Sequence, residues 1–288
     1  ARSGGSLRSR KRPARLMRLA SLALAALLLA TPALAADPKP VPDSGFSGRA
    51  SKPHFTPPEA AAFAKQVERD LAAKGTRVAI VFRAGKPRDK LPEGIAYTHG
   101  AFWVYGDIKG GDGQLYKGYA SYNLYQGDGD KLPADQSYLA QDFPLDFISG
   151  SQVDDVAIII PSPEMQRRLL AAIAAPGYAR LHVPSYSLVS NPFDARHQNC
   201  TEFVLDVIAS AAWQTEDYPQ IKANLAAHFK PTVVRANIFE RTFGPMVNPR
   251  LKMDDQDGPI VTATYDSIAG FMRDNHLLVE TYVLEKQN

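Results

Sequence analysis

The sequence predicts an α+β fold, an antiparallel sheet packed against a helix that carries the chain's only cysteine. Two observations lead there. Strand-like apolar runs come first and helix-like periodic segments concentrate later, so the strict alternation of a parallel α/β sheet is missing. The two most aromatic strand candidates are joined by "KGGDGQ" (Lys109–Gln114), a glycine cluster that makes a hairpin-like turn and is too short for a crossover helix.

Residues 1–35 are expected to be a secretory signal peptide. A basic lead (Arg8, Arg10, Lys11, Arg12, Arg15, Arg18) precedes an apolar run from Leu19 to Ala30, and the small-residue tripeptide Ala33-Leu34-Ala35 places cleavage after Ala35. The apolar run is shorter than the roughly 20 residues that span a bilayer, and polar "ADPKPVPDSG" follows at once, so no retained membrane anchor is expected. The mature chain is therefore expected in a periplasm or secreted. Of the 33 Lys and Arg, seven lie in residues 1–35 together with none of the 30 Asp and Glu, which leaves 26 against 30, or net −4, in the rest. The basic balance belongs to the leader, and no nucleic-acid partner is expected.

Residues 36–55, rich in Pro, Ser, Gly and Lys, are expected to be a flexible linker. Residues 56–288 are expected to form a single domain with a C-terminal extension beyond about Thr232. The domain should open with a helix in "TPPEAAAFAKQVERDLAAKG": Thr56 can cap it, Pro57 suits its first position, Glu59 completes a capping box, Phe63, Val67 and Leu71 form its apolar stripe, and Gly75 ends it. "RVAIVFRAG" (77–85) predicts a buried strand, since its apolar residues run together between turn signals. "GIAYTHGAFWVYG" (94–106) and "LYKGYASYNLYQG" (115–127) are the two arms of the hairpin, and "DVAIIIP" (155–161) is a further buried strand. "SPEMQRRLLAAIAAPG" predicts a helix with Ser162 as cap and Met165, Leu169 and Ile173 on one face. After irregular chain comes the cysteine helix. "EDYPQIKANLAAHF" and "YDSIAGFMRDNH" predict two more helices, and "LLVETYVLE" a last strand.

One cysteine cannot make an intramolecular disulfide, and in an oxidising compartment a lone thiol is open to over-oxidation. It is either buried packing or a working group. Its position favours work: in "HQNCTEFVLD" Asn199 is a strong cap, Cys200 the first helical residue and Glu202 the third, a capping-box-like Asn-x-x-Glu. Unpaired N–H groups and the positive end of the helix dipole favour a thiolate there and can hold an oxyanion. Glu202 opposes a second negative charge one turn away, so a thiolate needs a nearby cation, and nucleophilic chemistry needs a histidine. His99 lies in an apolar and aromatic strand; His197, three residues before the cysteine, is the alternative base. Zinc patterns of the His-Glu-x-x-His or paired-cysteine kind are missing, and neither "GDGDKLPAD" nor "KMDDQDG" fits a calcium loop, so no cofactor or metal is expected.

"NCTEFVLDVI" resembles the Asn-Cys-x-x-Phe-Val helix start of the circularly permuted papain-like superfamily, which includes lecithin:retinol acyltransferase relatives and the permuted NlpC-type cell-wall cysteine hydrolases. "YTHGAFWVYG" is similar to their histidine strand, which precedes the cysteine helix. The resemblance covers about 20 residues in two short motifs and their order. More broadly, the chain resembles an uncharacterised exported bacterial family placed near that superfamily. It implies a permuted papain-like fold with Cys200 as nucleophile and His99 as base, and it makes Asn123 in "SYNLYQ" the group that orients the imidazole; Tyr186 would line the pocket. It also implies hydrolysis or acyl transfer at amide or ester bonds of a cell-envelope polymer, such as peptidoglycan stem peptides, or of lipid. The aromatic strands suit a second reading equally, a non-catalytic binding module for envelope material on the same fold.

Overall fold

The computed structural model describes residues 47–49, 53–110, 112–235 and 249–287, all within one compact unit, Pro40–Asn288. The expected signal peptide lies outside the described residues. No helix among those described is long and apolar enough to cross a membrane.

The chain forms an α+β structure built on a six-stranded sheet. Helix α1 (Pro57–Ala73) leads into β1 (Val78–Arg83), β2 (His99–Lys109) and β3 (Leu115–Gln126), the last two forming the expected hairpin. At the start of α1 the Thr56 N–H donates to the Glu59 carboxylate at 2.8 Å, and Gly75 at φ +64° turns the chain towards β1. Strand β4 (Ser137–Asp142) and the short helix α2 (Pro144–Ser149) follow, then β5 (Asp155–Pro161), α3 (Pro163–Ala174) and one turn of helix, α4 (Gly177–Arg180). The cysteine helix α5 (Cys200–Trp213), α6 (Tyr218–His228), a two-residue pair β6 (Thr232–Val233) with β7 (Val261–Thr262), α7 (Tyr265–Asp274) and β8 (Leu278–Glu285) complete it. The order across the sheet is β4-β3-β2-β1-β5-β8, and every neighbouring pair is antiparallel.

Both faces of the sheet are covered. Alternate residues of β1 separate cleanly: Val78, Ile80 and Phe82 pack with α3, α5, α6 and α7, whereas Ala79 and Val81 pack with α1 and α2. This explains the unbroken apolar runs of β1 and β5, because strands covered on both sides have no polar phase. Each large apolar side chain so buried is worth about 1.5–3 kcal/mol. Helix α5 goes further than the one apolar face expected of it, since every residue from Cys200 to Ala211 is buried, Glu202 and Asp206 included.

Two expectations need correction. Strand β4 and helix α2 are absent from the sequence-based element order, because "SYLAQD" and "PLDFIS" are too short and too polar to announce themselves, and pairing with β3 makes the strand. The segment expected to be a flexible linker is packed where it is described: Phe55 meets Phe63 in the core, and Ser47 is 1% exposed.

Candidate active site at the cysteine helix

Helix α5 begins at the end of the sheet where β1 finishes and β2 starts. The Asn199 side chain accepts from the Glu202 N–H at 2.9 Å, so half of the expected capping box forms. The other half does not. The Asn199 N–H donates to the Ser190 hydroxyl at 3.0 Å, and the Glu202 carboxylate turns away to accept from Lys222 Nζ at 2.6 Å. Lys222, from α6, also donates to both oxygens of Asp206 at 2.9 and 3.0 Å. Burial pushes Glu202 up to about 8, against the pull of Lys222; burial raises Asp206 as well, while for Lys222 the two carboxylates outweigh burial and the net direction is up. The carboxylate that would oppose a thiolate is thus neutralised by a buried ammonium or by its own proton.

The Cys200 sulfur lies against the backbone that flanks His99. The thiol donates to the Thr98 carbonyl at 3.4 Å and shares a hydrogen bond with the Ser47 hydroxyl at 3.1 Å. Burial pushes the thiol up; the Ser47 hydroxyl, the Gly100 N–H, the Arg83 guanidinium and the Thr201 N–H pull the other way, and burial prevails. In this arrangement the sulfur is held as a thiol.

His99, the first residue of β2, is fully buried, its ring stacked on Tyr125 at 5.1 Å between centroids and tilted against Phe147 at 5.4 Å. Its Nε2 is hydrogen-bonded to Asn123 Oδ1 at 3.1 Å, and the Asn123 amide is itself fixed by donating to the Ser121 carbonyl and hydroxyl at 3.2 and 3.0 Å. The amide oxygen can only accept, so Nε2 carries the proton and Nδ1 is left with its lone pair. Nδ1 has no hydrogen-bond partner. Burial, with Arg83 adding to it and Asn123 opposing it, drives the imidazole well below its ordinary value and keeps it neutral.

The structure therefore brings His99 and Asn123 together, and brings Cys200 to the residues on either side of His99. It forms no hydrogen bond between sulfur and imidazole. Strand alternation explains the gap: His99 projects on the α1/α2 face with Ala101 and Trp103, while Cys200 packs with the α5 face. The two can meet only around the end of the sheet.

His197, the alternative base, is occupied elsewhere. Its Nδ1 bonds the Ser185 hydroxyl at 2.9 Å and its Nε2 the Asp254 carboxylate at 2.7 Å, with Lys252 Nζ also donating to Ser185 at 2.8 Å. Both nitrogens are used, so it has no lone pair for the thiol. Tyr186 does reach the site, donating to the Ser47 hydroxyl at 3.0 Å.

Sequence reasoning missed two residues here. Arg83, at the end of β1, is fully buried, and its guanidinium donates to the Gly48 carbonyl at 2.8 Å while Nε and Nη1 have no partner. Arginine does not give up its proton in proteins, so this is a buried cation that no carboxylate hydrogen-bonds among the described residues. Its charge is one of the influences that favour a thiolate at Cys200, though burial outweighs them. Gly150 makes space for it, since a Cβ there would fall on the guanidinium. Its signal was a lone arginine closing an otherwise apolar strand. The second missed residue is Ser47, hidden in a stretch whose composition suggests only a linker.

Residues 70–272 match the model of a bacterial family described as "Uncharacterized protein conserved in bacteria (DUF2145)". The chain belongs to this family. The match includes Arg83, His99, Asn123, Tyr186 and Cys200 and ends before β8; Ser47–Arg49 precede it. Neither the curated proteins nor the solved structures provide a match.

Proposed function

We propose that this DUF2145 member is an exported hydrolase or acyltransferase of permuted papain-like type, with Cys200 as nucleophile, His99 as base and Asn123 as the group that orients His99. The observation that carries the reading is the state of His99. One nitrogen is pinned by an amide that fixes its tautomer, the other is buried with an idle lone pair, and the thiol rests against the neighbouring backbone. A structural histidine would have both nitrogens satisfied, as His197 does.

The chemistry follows from those parts. The chemistry requires His99 to turn around the end of the sheet until Nδ1 reaches the sulfur; with a substrate carbonyl in place, Nδ1 then takes the thiol proton and the sulfur attacks the carbonyl carbon. The oxyanion is met by N–H groups at the start of α5, with Arg83 offsetting the charge. Collapse breaks the bond to the amine or alcohol, which leaves with the proton from His99, and a thioester remains on Cys200. Water or an acceptor then attacks the thioester, with His99 taking its proton and returning it to sulfur. Peptidoglycan stem peptides are the first substrate class, lipid acyl or amide groups the second; this order rests on the expected export and on the resemblance of "NCTEFVLDVI" and "YTHGAFWVYG".

The second reading, a binding module on the same fold, draws on the thiol being buried, pushed up and not bonded to the imidazole. Mass spectrometry after incubation with activated acyl esters separates the two. A catalytic thiol gains one acyl group on Cys200, and the gain is lost in His99→Ala. A protein that never acquires the acyl mass, although its thiol is open to iodoacetamide, is a binding module.

A further inference from the structure

The candidate site already holds a peptide, and the peptide belongs to the chain itself. Six polar contacts seat Ser47-Gly48-Arg49. The Ser47 hydroxyl donates to the Thr98 carbonyl at 3.1 Å, shares a bond with Cys200 Sγ at 3.1 Å and accepts from Tyr186 at 3.0 Å. The Ser47 carbonyl accepts from the Gln126 N–H at 3.2 Å, at the end of β3. The Gly48 carbonyl accepts from Arg83 at 2.8 Å, and Arg49 Nη2 pairs with Asp142 at 2.6 Å, a carboxylate whose side chain is only 4% exposed.

These contacts read backbone carbonyls at two consecutive residues, a small hydroxyl side chain at the first and a cation at the third. The sulfur, the Tyr186 hydroxyl and the Thr98 carbonyl each lie within about 3.1 Å of the Ser47 oxygen, and Ser47 is buried, so the position is matched to a small hydroxyl side chain. Arg83, otherwise a buried cation with two idle nitrogens, finds its one hydrogen-bond acceptor among the described residues in this peptide. Asp142, buried at the end of β4, finds its cation there. Side chains from β1 and β4, the backbone of β3, and residues beside β2 and α5 all converge on a segment outside the family match.

The geometry points to a peptide-binding cleft at Cys200 that takes a small residue, then a residue read through its carbonyl, then a cationic residue, with Ser47-Gly48-Arg49 as its resident occupant, so that the segment must leave before any other substrate reaches the thiol. This rests on the Cys200 site proposed above and names both its ligand class and its control. A Ser-Gly-Arg sequence, or another small residue two positions before a cationic side chain, would share the chemistry.

The test is the rate of iodoacetamide alkylation of Cys200 in the protein, in Arg49→Asp, which turns the pair with Asp142 into a repulsion, and in Ser47→Phe, which cannot fit. Both variants should react at least about tenfold faster, the ratio that corresponds to a 1.4 kcal/mol shift towards the open site. Millimolar peptide GFSGRAS, which copies residues 45–51, should then protect the thiol of Arg49→Asp, and GFSGDAS should not. Equal rates in all three proteins, or equal effects of the two peptides, would overturn the proposal. The enzyme reading fails separately: acceleration in Arg49→Asp that is indifferent to His99→Ala keeps the occupied cleft and removes the catalytic pair.

Discussion

Two histidines are buried among the described residues, His99 and His197, and the contrast between them bears on the candidate chemistry. His197 is satisfied at both nitrogens, by Ser185 and Asp254, and so joins the loop before α5 to the loop before β7. His99 is more deeply buried and only half satisfied, with Asn123 on Nε2 and nothing on Nδ1. A buried acceptor left unpaired costs about 1–3 kcal/mol. On the proposed reading that cost is retained because the idle nitrogen receives a proton, and a purely structural histidine has no such reason to carry it.

Exchanging the two histidines for alanine should give the widest separation. His99→Ala should slow acylation of Cys200 by roughly 10²–10⁴-fold, the usual worth of a positioned general base, as measured by stopped-flow release of a chromogenic leaving group. His197→Ala should leave that rate within a few-fold and lower stability in urea by about 1–2 kcal/mol, as two hydrogen bonds are lost. The opposite pattern would exchange their roles.

Next in size is the ionic cluster beneath the cysteine helix. Lys222→Met leaves Glu202 and Asp206 buried without their cation and should cost about 3–5 kcal/mol in urea unfolding. Loss of less than about 1 kcal/mol would mean that the carboxylates are already protonated. Asn123→Ala should have a smaller effect on rate, about tenfold, because the imidazole loses its fixed tautomer and not its basicity; Asn123→Gln should not restore it if position matters.

The same cluster carries a pH dependence. Glu202 ionises near its ordinary acidic value when unfolded and at about 8 when folded, so between those limits the native state binds the extra proton. Stability should therefore fall as pH rises through that window, and Glu202→Gln should flatten the fall. An unchanged slope in Glu202→Gln, followed by urea midpoints from pH 5 to 8, would assign the proton elsewhere in the cluster.

Much of this arrangement was legible in the sequence. The Asn199 cap, the placement of Cys200 at the first turn and the histidine strand are local features written in consecutive residues, and antiparallel pairing of the two aromatic strands brings Asn123 beside the His99 ring through the register Ala101↔Asn123. The remainder depends on distant partners. Lys222 looks like one more helix-surface lysine until α6 packs it over Glu202 and Asp206. Arg83 looks like the polar end of a strand, and Ser47 lies in a stretch whose composition conceals its contacts, because a few hydrogen bonds to a preformed cleft leave no periodicity. Strand β4 was hidden for the same reason, its identity coming from β3 beside it.

The most direct test of the proposed pair of Cys200 and His99 is the pH dependence of Cys200 alkylation in Arg49→Asp, with and without His99→Ala. The account predicts that the freed thiol titrates below the ordinary cysteine value of about 8.5, and that removing His99 returns it towards that value. A thiol that titrates alike in both proteins, at or above the ordinary value, would contradict it.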